Sequence, residues 1–502
     1  MKKYDLVVIG SGVGLNIINP AIQRGLNCAI VEMDKVGGTC LTRGCIPSKI
    51  LIYPADIIRE AQHARYVGID FVVKKINWDY IAERMWENIN ESTQMEDSLA
   101  HAHGLNFYKG IGEFTGDYQL KVQLNKSTEI FEGEKFVIAS GARSFIPPIK
   151  GIEEIGYITN ESFFGAKFPK KPWKSLILIG GGIIAAEFAH LFSALGTKVT
   201  IIEMLSRLCT TEEQEISRFL ETNFRRHMTV LLNKKAVEAT QKKDLKVITV
   251  EDTNTGKRSA VQAEEVFVAT GRRSNNDILK VENTGVETDK HGWIKTNEYL
   301  ETSKENIWCV GDANGIFQFR HTANYEGEIC SHNLFADKDN RRAVDYSSVP
   351  WAIFTYPQVG HVGMTEAEAI ARGHKIYTAK HNYSSVAKGF AMGFVPGAEE
   401  DGFVKLIVDQ SRQLLGAHIV GSHAAILIQP FVYLMNAGYV CNIAVPGEDE
   451  SLPTFSRTCP EAGSFMPIYR SQVIHPSLNE VTGWAIGSLR PVNIEHHHHH
   501  ED

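Results

Sequence analysis

The feature that most constrains the fold of this chain is a glycine-rich turn between an apolar run and a helix-length segment, which occurs twice. In the first copy, the apolar run 5–9 leads into Gly10-Ser11-Gly12-Val13-Gly14, and a second apolar run closes on Glu32. This order predicts a strand, a turn, a helix and a second strand. A dinucleotide pyrophosphate is expected at the helix N-terminus and an adenosine ribose at the carboxylate. Because Leu15 stands where a third glycine is usual, helix and strand are expected to pack less closely.

Because the glycine-rich turn occurs a second time, neither copy is well explained as an ordinary loop between a strand and a helix. The run 175–179 leads into Gly180-Gly181-Gly182, Ala185 takes the third position, and the run 198–202 closes on Glu203. Two copies predict two dinucleotides, one in each of two domains. The Glu203 carboxylate can pair with a free ribose 2′-hydroxyl but would repel a 2′-phosphate, which favours NAD over NADP. Arg207, four residues later, keeps NADP as the alternative.

Length and composition narrow the class of protein. The 502 residues are enough for about three domains. A net charge of −7 gives no basic surface for nucleic acid. No apolar run approaches the roughly 20 residues of a membrane span, and the early Asp5 and glycines argue against a signal peptide. Eight cysteines, mostly isolated, favour a cytoplasmic location over a secreted disulfide scaffold. Residues 495–502, which contain five consecutive histidines, are interpreted as an expression tag.

Two cysteines, Cys40 and Cys45, follow the first acid within a glycine-containing segment. On a regular helix this spacing would separate them too far for a disulfide, so a loop or a helix start is expected between them. A helix N-terminus would also favour a thiolate. A zinc site is the weaker alternative, because no second cysteine pair or suitably spaced histidines complete a ligand set. The sequence therefore predicts a redox pair and no metal site.

The segment 38–49 resembles the redox-active site of the class I pyridine nucleotide-disulfide oxidoreductases. Further segments resemble the family's domain crossovers, its second FAD motif and helix, and the start of its dimerisation domain; they are 139–143, 269–273, 310–312, 321–323 and 350–357. The resemblance implies an α/β fold of two Rossmann-like domains, for FAD and for NAD, followed by an α+β dimerisation domain. The expected bounds are 1–150 with 272–343 for FAD, 151–271 for NAD and 344–494 for the dimerisation domain.

The resemblance also implies roles for individual residues. His475, followed by Pro476, and Glu480 would form the base that serves Cys40, while Cys45 would pass electrons to the flavin. Lys49 would lie near the flavin together with Glu187. The residues implied for FAD are Gly10, Gly12, Gly14, Glu32, Gly38, Thr39, Lys49, Gly112, Ser140, Gly141, Gly311, Asp312 (at the ribitol) and Ala323. Those implied for NAD are Gly180, Gly182, Ile183, Ala185, Glu187, Glu203 and Gly271. The family takes its base from the partner chain, so an obligate homodimer is expected.

Within the family, the main interpretation is a dihydrolipoyl dehydrogenase that oxidises dihydrolipoamide, free or on a lipoyl domain, with NAD⁺. Glu203 and the aliphatic Ile183, where glutathione reductases carry an aromatic residue, favour it. The alternative is a reductase of a small disulfide such as mycothione, bis-γ-glutamylcystine or glutathione disulfide, since several segments resemble mycothione reductase. A subunit of a 2-oxoacid dehydrogenase complex, or a flavoprotein scaffold, is also considered. A long insertion over 441–470 precedes the base and is expected to shape the substrate mouth or the dimer edge. Its Cys459 is interpreted as a spare loop cysteine.

Overall fold

The computed structural model describes residues 1–437 and 466–487. The insertion expected over 441–470 lies outside the described residues except for its last five, and so do Cys459 and the terminal histidines. None of the helices in the two described ranges is long and apolar enough to cross a membrane.

Residues 1–150 contain a parallel sheet with helices packed on it. Its central strands are buried on both faces, as β-branched runs in parallel sheets usually are. The strands are β1 (Lys2–Ile9), β2 (Cys28–Glu32), β3 (Leu105–Gly116), β4 (Gln119–Leu124), β5 (Thr128–Ile138) and β6 (Ala142–Ser144). The helices are α1 (Gly14–Gln23), α2 (Gly38–Arg43), α3 (Cys45–His63) and α4 (Trp78–Ala100). β3, β2, β1 and β5 run parallel in that order, and β4 joins β3 to β5 as an antiparallel ribbon.

Residues 151–271 form a second unit of the same kind. Its helices are α5 (Ile152–Ile155), α6 (Asn160–Phe163), α7 (Ile183–Ala194) and α8 (Gln214–Arg225). Its strands are β7 (Ser175–Ile179), β8 (Lys198–Ile202), β9 (Thr229–Leu231), β10 (Lys234–Lys242), β11 (Leu245–Asp252), β12 (Arg258–Ala263) and β13 (Glu265–Val268). β13, β7, β8 and β9 make a parallel sheet, while β10, β11 and β12 make an antiparallel one.

After the second unit the chain returns to the first. This segment contains β14 (Arg272–Ser274), α9 (Asn276–Leu279), β15 (Ile307–Cys309) and α10 (Arg320–Asn333). β14 pairs with β6, and β15 extends the first parallel sheet beyond β5. Short 3₁₀ helices cover Ala64–Val67, Val281–Thr284, Gly311–Asn314, Lys338–Asn340 and Tyr383–Ser385. The first unit is therefore discontinuous in sequence.

The C-terminal region is built on an antiparallel sheet. The strands are β16 (Pro350–Ile353), β17 (Gln358–Gly363), β18 (Ile376–Asn382), β19 (Phe403–Asp409) and β20 (Leu414–Gly421), in the spatial order β16, β17, β20, β19, β18. The helices are α11 (Glu366–Ala371), α12 (Ala387–Ala391), α13 (Ala424–Leu427), α14 (Gln429–Met435), α15 (Met466–Arg470) and α16 (Asn479–Gly487). β17 and β20 are antiparallel neighbours, and their register places His361 opposite His418.

The helix after the first glycine turn packs closely on its strand, in contrast to the expectation from Leu15. Gly14 makes the close approach, because a Cβ on Gly14 would lie 2.7 Å from Cγ1 of Val8. Leu15 is only partly buried and packs at the edge of the adjoining core. In this chain Gly14, one position before the usual third glycine, is the small residue that allows the helix to pack closely on the strand.

Candidate active site

A cavity of about 920 Å³ lies where the two parallel sheets end. The turns after β1 and β7 both border it, as do the N-terminus of α3 and the loop that carries His475. Ligands of open α/β sheets bind outside the carboxyl ends of the strands, where helix N-termini present free N–H groups. The fold therefore brings both predicted dinucleotide sites to one continuous space.

The first glycine of each turn is required by the backbone. Gly10 has φ +103° and Gly180 has φ +109°. A Cβ at either position would lie 2.2 Å from a backbone carbonyl oxygen, that of Ala139 or Ala269. The middle glycines differ, because a Cβ on Gly12 would meet nothing closer than 3.8 Å and one on Gly182 nothing within 4 Å. The middle glycines leave room on the cavity side, where a phosphate would approach.

The two acids are held in the same way. Glu32 Oε2 accepts a hydrogen bond from Ser11 N at 2.9 Å, and its Oε1 accepts one from Asp34 N at 2.8 Å. Glu203 Oε2 accepts one from Gly181 N at 2.6 Å, and its Oε1 accepts one from Leu205 N at 2.7 Å. In each unit the carboxylate thus joins the glycine turn to the segment beyond the second strand.

Arg207, which kept NADP open as an alternative, lies with its guanidinium turned to its own loop. Its Nη1 donates to the carbonyl oxygen of Glu212 at 2.8 Å, and its Nη2 donates to that of Thr210 at 2.8 Å. A guanidinium that already caps backbone carbonyls is a poor partner for a 2′-phosphate. Arg207 is therefore not positioned as a free guanidinium for that phosphate.

The cysteine pair spans a break between two helices. Cys40 lies in α2, Gly44 has a non-helical conformation, and Cys45 is the first residue of the 19-residue α3. Both thiols are free in this structure. The hydrogen bond from Cys40 and then the charge of Lys49 lower the pKa of Cys45 to about 6, while the hydrogen bond to Cys45 and burial raise the pKa of Cys40. The directions of these shifts favour Cys45 over Cys40 as the thiolate of the reduced pair.

Lys49 and Glu187, which the resemblance placed together near the flavin, form an ion pair. Lys49 lies one turn after Cys45 on α3, and its Nζ is 2.8 Å from Oε2 of Glu187 on α7. Glu187 Oε1 accepts a hydrogen bond from Phe354 N at 3.0 Å, and Lys49 Nζ lies 4.8 Å from the centre of the Phe354 ring. The carboxylate is almost fully buried, so its charge depends on these partners. The ion pair therefore joins α3 of the first unit to α7 of the second, and Glu187 also contacts the residue that follows β16.

His475 meets the cysteine pair directly. Its Nε2 lies 3.2 Å from Sγ of Cys40, and its Nδ1 lies 2.6 Å from Oε1 of Glu480. A carboxylate only accepts, so Nδ1 carries the hydrogen and the Nε2 lone pair of the neutral ring faces the thiol. The ring is thus oriented as a proton acceptor for sulfur.

His321 supports the loop that carries this base. Its Nε2 donates to the carbonyl oxygen of Pro350 at 2.6 Å, which leaves its Nδ1 to accept the backbone N–H of His475 at 3.3 Å. Burial lowers the pKa of His321 to about 4, so it remains a neutral acceptor. The sequence named His321 only as part of a helix start.

The base and the cysteines belong to one chain in this structure, whereas the resemblance implied a base from the partner. The connection between them, 438–465, lies outside the described residues. The structure therefore shows that His475 and Cys40 are in contact, but the chain of origin of His475 is a separate question. If residues 438–465 cross a twofold interface, the same two side chains meet between subunits.

The comparisons with known proteins agree with this geometry. Residues 4–327 match the family described as pyridine nucleotide-disulphide oxidoreductase, and residues 349–462 match the dimerisation domain of that family. The chain belongs to this family. Its members use FAD and NAD(P)H, and this protein is a flavoprotein disulfide oxidoreductase. The match to the dimerisation domain supports a homodimer.

Individual relatives in the oxidoreductase family carry different substrate names. The chain is 34% identical over 455 residues to mycothione reductase of Mycobacterium tuberculosis (strain H37Rv), with 87% of this chain and 94% of that protein covered. It is 30% identical over 498 residues to dihydrolipoyl dehydrogenase of Chlamydia pneumoniae, with 98% of each covered. A similar solved structure is the HOCl-induced flavoprotein disulfide reductase RclA of Escherichia coli in its Cu(II) complex, with a TM-score of 0.73, 26% identity and 87% and 93% coverage.

Most residues expected to hold the oxidoreductase's cofactors border the cavity. They are Gly10, Gly12, Glu32, Gly38, Thr39, Lys49, Gly112, Ser140, Gly141, Gly311, Asp312 and Ala323 for FAD, and Gly180, Gly182, Ile183, Glu187, Glu203 and Gly271 for NAD. Gly14 and Ala185 are buried between helix and strand, so the structure gives them packing positions instead of contact positions. Glu480 lies behind His475, outside the cavity lining.

The cavity chemistry fits FAD. Ser140 and Arg272 line the cavity, and their buried atoms Ser140 Oγ and Arg272 Nε have no hydrogen-bond partner among the described residues. Asp312 lies on the 3₁₀ turn, 3.6 Å from Arg272, and burial raises the pKa of its carboxyl. The hydroxyl, guanidinium and carboxyl groups of the lining, together with the glycine turns at the helix N-termini, suit a ligand with hydroxyls and a pyrophosphate.

Several lining residues were missed by the sequence interpretation. Arg320 is the first residue of α10, borders the cavity, and its charge acts to lower the pKa of Cys40. Lys234 and Lys235 border the cavity on the side of Glu203. A cation directly before the His321-Thr322-Ala323 segment was the available signal for Arg320. The lysines carry no comparable signal, because β10 reaches the cavity only through tertiary packing.

Proposed function

We propose that this flavoprotein is a dihydrolipoyl dehydrogenase, in which Cys40, Cys45, His475 and Glu480 carry out dithiol oxidation and NAD⁺ accepts the electrons. The observation that carries the proposal is the contact of His475 with Cys40, beside the Cys45 thiolate, at a cavity that both glycine turns border. Residues 1–150 with 272–343 would hold FAD, and residues 151–271 would hold NAD. The protein's own groups then have distinct roles in disulfide exchange.

The exchange begins with the Cys40–Cys45 disulfide. A substrate thiol attacks Cys40 and gives its proton to His475 Nε2, so a mixed disulfide forms and Cys45 leaves as the thiolate. The second substrate thiol attacks the sulfur of the first, and the disulfide product leaves. His475 passes the first proton to the released Cys40 sulfur and then takes the proton of the second thiol, which it later loses to solvent. Two substrate thiols are oxidised and one protein disulfide is reduced. FAD, which residues 1–150 with 272–343 would hold, would supply the transfer of this electron pair from the dithiol to NAD⁺.

The charges around the pair suit this division of roles. Glu480 accepts from the ring nitrogen remote from sulfur, so it stabilises the imidazolium that forms when the base takes a proton. Lys49 stabilises the Cys45 thiolate and Arg320 supplies further positive charge nearby. Attack at Cys40 therefore expels the sulfur whose anion is better stabilised, which is the favourable direction for exchange.

The preference for NAD rests on Glu203 and Arg207. A carboxylate fixed at the end of β8 repels a 2′-phosphate, and the nearest arginine in sequence is bound to its own loop. Ile183 at the start of α7 borders the cavity and leaves the nicotinamide side without an aromatic ring at that position. Dihydrolipoyl dehydrogenases among the relatives support the same assignment.

The second candidate is a reductase of a small disulfide, and the similarity to mycothione reductase favours it. A panel of NADH oxidation rates decides between the two, with lipoamide compared against mycothione, bis-γ-glutamylcystine and glutathione disulfide. We expect kcat/KM for lipoamide to exceed the others by at least about tenfold. A higher value for one of the small disulfides would replace the proposal with the alternative.

The catalytic roles have a separate test. The Cys45→Ser protein should lose disulfide turnover, because no thiolate can leave, and should keep the NADH-dependent reduction of ferricyanide by the flavin. Persisting disulfide turnover would refute the exchange scheme. A protein that bleaches with NADH yet consumes no disulfide, even unsubstituted, would indicate a scaffold role in a larger complex.

A mixed dimer reveals which chain supplies the base. One chain carries Cys45→Ser and the other His475→Gln, and the heterodimer is isolated through two different affinity tags. If the base acts across the interface, one of the two sites is intact and disulfide turnover is near half that of the unsubstituted dimer. If the base acts within the chain, each site carries one lesion and turnover is lost.

A further inference from the structure

Three side chains with metal-binding atoms converge in a buried position between the second nucleotide unit and the C-terminal sheet. Glu212 lies in the loop between β8 and α8, while His361 lies on β17 and His418 on β20. The two histidines are directly opposite each other in the register of the paired strands. All three residues are at most 1% exposed. This cluster is separate from the cysteine site and has no part in the exchange scheme.

The hydrogen bonds of the two imidazoles fix their tautomers. His361 Nε2 lies 3.0 Å from the carbonyl oxygen of Gly363, and His418 Nε2 lies 2.9 Å from that of Met364. A carbonyl oxygen only accepts, so both Nε2 atoms carry hydrogen. In the neutral rings each Nδ1 is then a bare lone pair. Metal-bound histidines characteristically donate their other N–H to a backbone carbonyl in this way.

The bare atoms point at one another. His361 Nδ1 lies 3.2 Å from His418 Nδ1 and 3.0 Å from Oε2 of Glu212, and all three atoms lie within 4.8 Å of one another. Three acceptors at such distances repel unless a cation lies among them. A single proton on His361 Nδ1 can be directed to the carboxylate, but His418 Nδ1 then has no donor. A metal ion satisfies all three acceptors together.

The distances suit a small divalent metal. Zinc binds histidine nitrogen and carboxylate oxygen at about 2.0–2.2 Å, which places two ligand atoms of a tetrahedral site roughly 3.3 Å apart. The observed separations of 3.0 and 3.2 Å are close to that value. The other carboxylate oxygen, Glu212 Oε1, accepts from Nε1 of Trp351 at 2.5 Å, so the carboxylate is held in place. Two histidines and one glutamate form a known type of zinc ligand set.

We propose that Glu212, His361 and His418 bind one divalent metal ion of the Zn²⁺ type, which links the second nucleotide unit to the C-terminal sheet. The site was not predicted from sequence. Its ligands are 149 and 57 residues apart, and they meet only through strand register and loop packing. Because Glu212 belongs to one unit and the histidines to the other, the ion would hold the two together.

The cluster is also in contact with the base through stacked rings. Trp351 stacks on His361 with centroids 3.5 Å apart, Phe319 stacks on Trp351 at 5.5 Å, and His321 stacks on Phe319 at 5.5 Å. His321 accepts the backbone N–H of His475. Removing the ion therefore affects packing along a path that ends at the base.

Zinc content of the FAD-loaded protein tests the proposal. All variants carry serine at the five terminal histidines and at Cys40 and Cys45, because both groups offer competing metal ligands. After equilibration with Zn²⁺ and gel filtration, we expect about one zinc per chain and a Tm that rises with free Zn²⁺. His418→Gln should lower zinc affinity at least tenfold. His190→Gln is the matched control, since His190 is also buried but bonds Asp56 outside the cluster.

Absence of zinc from the protein that lacks Cys40, Cys45 and the terminal histidines would overturn the proposal and leave a shared proton only. Full zinc retention in the His418→Gln protein would overturn it as well. If that variant does not fold, zinc-edge X-ray absorption on the protein with its cysteines intact still decides the question. Nitrogen and oxygen neighbours alone support the site, whereas sulfur at about 2.3 Å places the metal at the cysteine pair and refutes it.

Discussion

The replacement of Glu480 by glutamine is the most direct test of how the base works. Glu480 Oε1 lies 2.6 Å from His475 Nδ1, and both side chains are less than a fifth exposed, so solvent screens this contact only partly. A hydrogen bond between a charged donor and a carboxylate contributes about 1.5–3 kcal/mol. Because the contact strengthens when the ring gains its proton, most of that energy is lost from the transition state of thiol attack. At 1.36 kcal/mol per tenfold in rate, disulfide exchange should slow roughly 10- to 150-fold.

The assay separates the two half-reactions by stopped flow. Reduction of the flavin by NADH should be unchanged in the Glu480→Gln protein, while reoxidation by the disulfide substrate should slow. His475→Gln should slow the same step further, by about 10²–10⁴-fold. Ser477→Ala is the matched control for the loop, because Ser477 donates to the carbonyl of Ile474 without touching the ring. Equal slowing of both half-reactions, or no slowing in the Glu480 variant, would refute the assigned role.

Three further predictions follow from the cavity. The hydrogen bond from Cys40 and the charge of Lys49 stabilise the Cys45 thiolate, so it should become protonated only as pH falls through about 6. The rate of Cys45 alkylation in the reduced protein, followed by peptide mass spectrometry, should therefore have its midpoint near that pH. Lys49→Met should move the midpoint to higher pH. Glu203→Gln should narrow the NADH-over-NADPH ratio of kcat/KM by roughly 10- to 100-fold, and an unchanged ratio would contradict the repulsion argument. Gly180→Ala should destabilise the protein by about 1–3 kcal/mol in denaturant unfolding, whereas Gly182→Ala should leave stability unchanged and raise the KM for NADH.

The parts of the fold that are local in sequence could be predicted well. Each nucleotide unit contains a strand, a turn, a helix and a second strand within about thirty residues. Hydrophobic periodicity and glycine positions are enough to predict this segment. The common location of Lys49 and Glu187 was expected only through family resemblance, and their ion pair was not predicted, because 138 residues separate them. The close packing by Gly14 was missed, since the usual pattern directs attention to position 15. A pattern of residue types does not reveal which of two adjacent positions faces the strand.

The contacts that sequence could not provide are those made by register and by loops. His361 and His418 are adjacent only because β17 and β20 pair in one register, and a slip by one residue would direct one ring to the opposite face. His321 reaches the base because α10 begins beside the loop of His475. In both cases the residues next to the histidine in sequence give no sign of its role. Its chemistry arises from neighbours that are distant in the chain.

The helix α3 explains how two nucleotide units serve one reaction. Cys45 and Lys49 are four residues apart, so they lie on the same face of α3, toward the cavity. Helix α3 belongs to the first unit, but its Lys49 forms an ion pair with Glu187 on α7 of the second unit. Glu187 in turn accepts the backbone N–H of Phe354 from the C-terminal region. Since an unpaired carboxylate at this buried position would be costly, the ion pair constrains all three regions together. The thiolate, the two cofactor sites and the base are therefore positioned by one connected set of contacts.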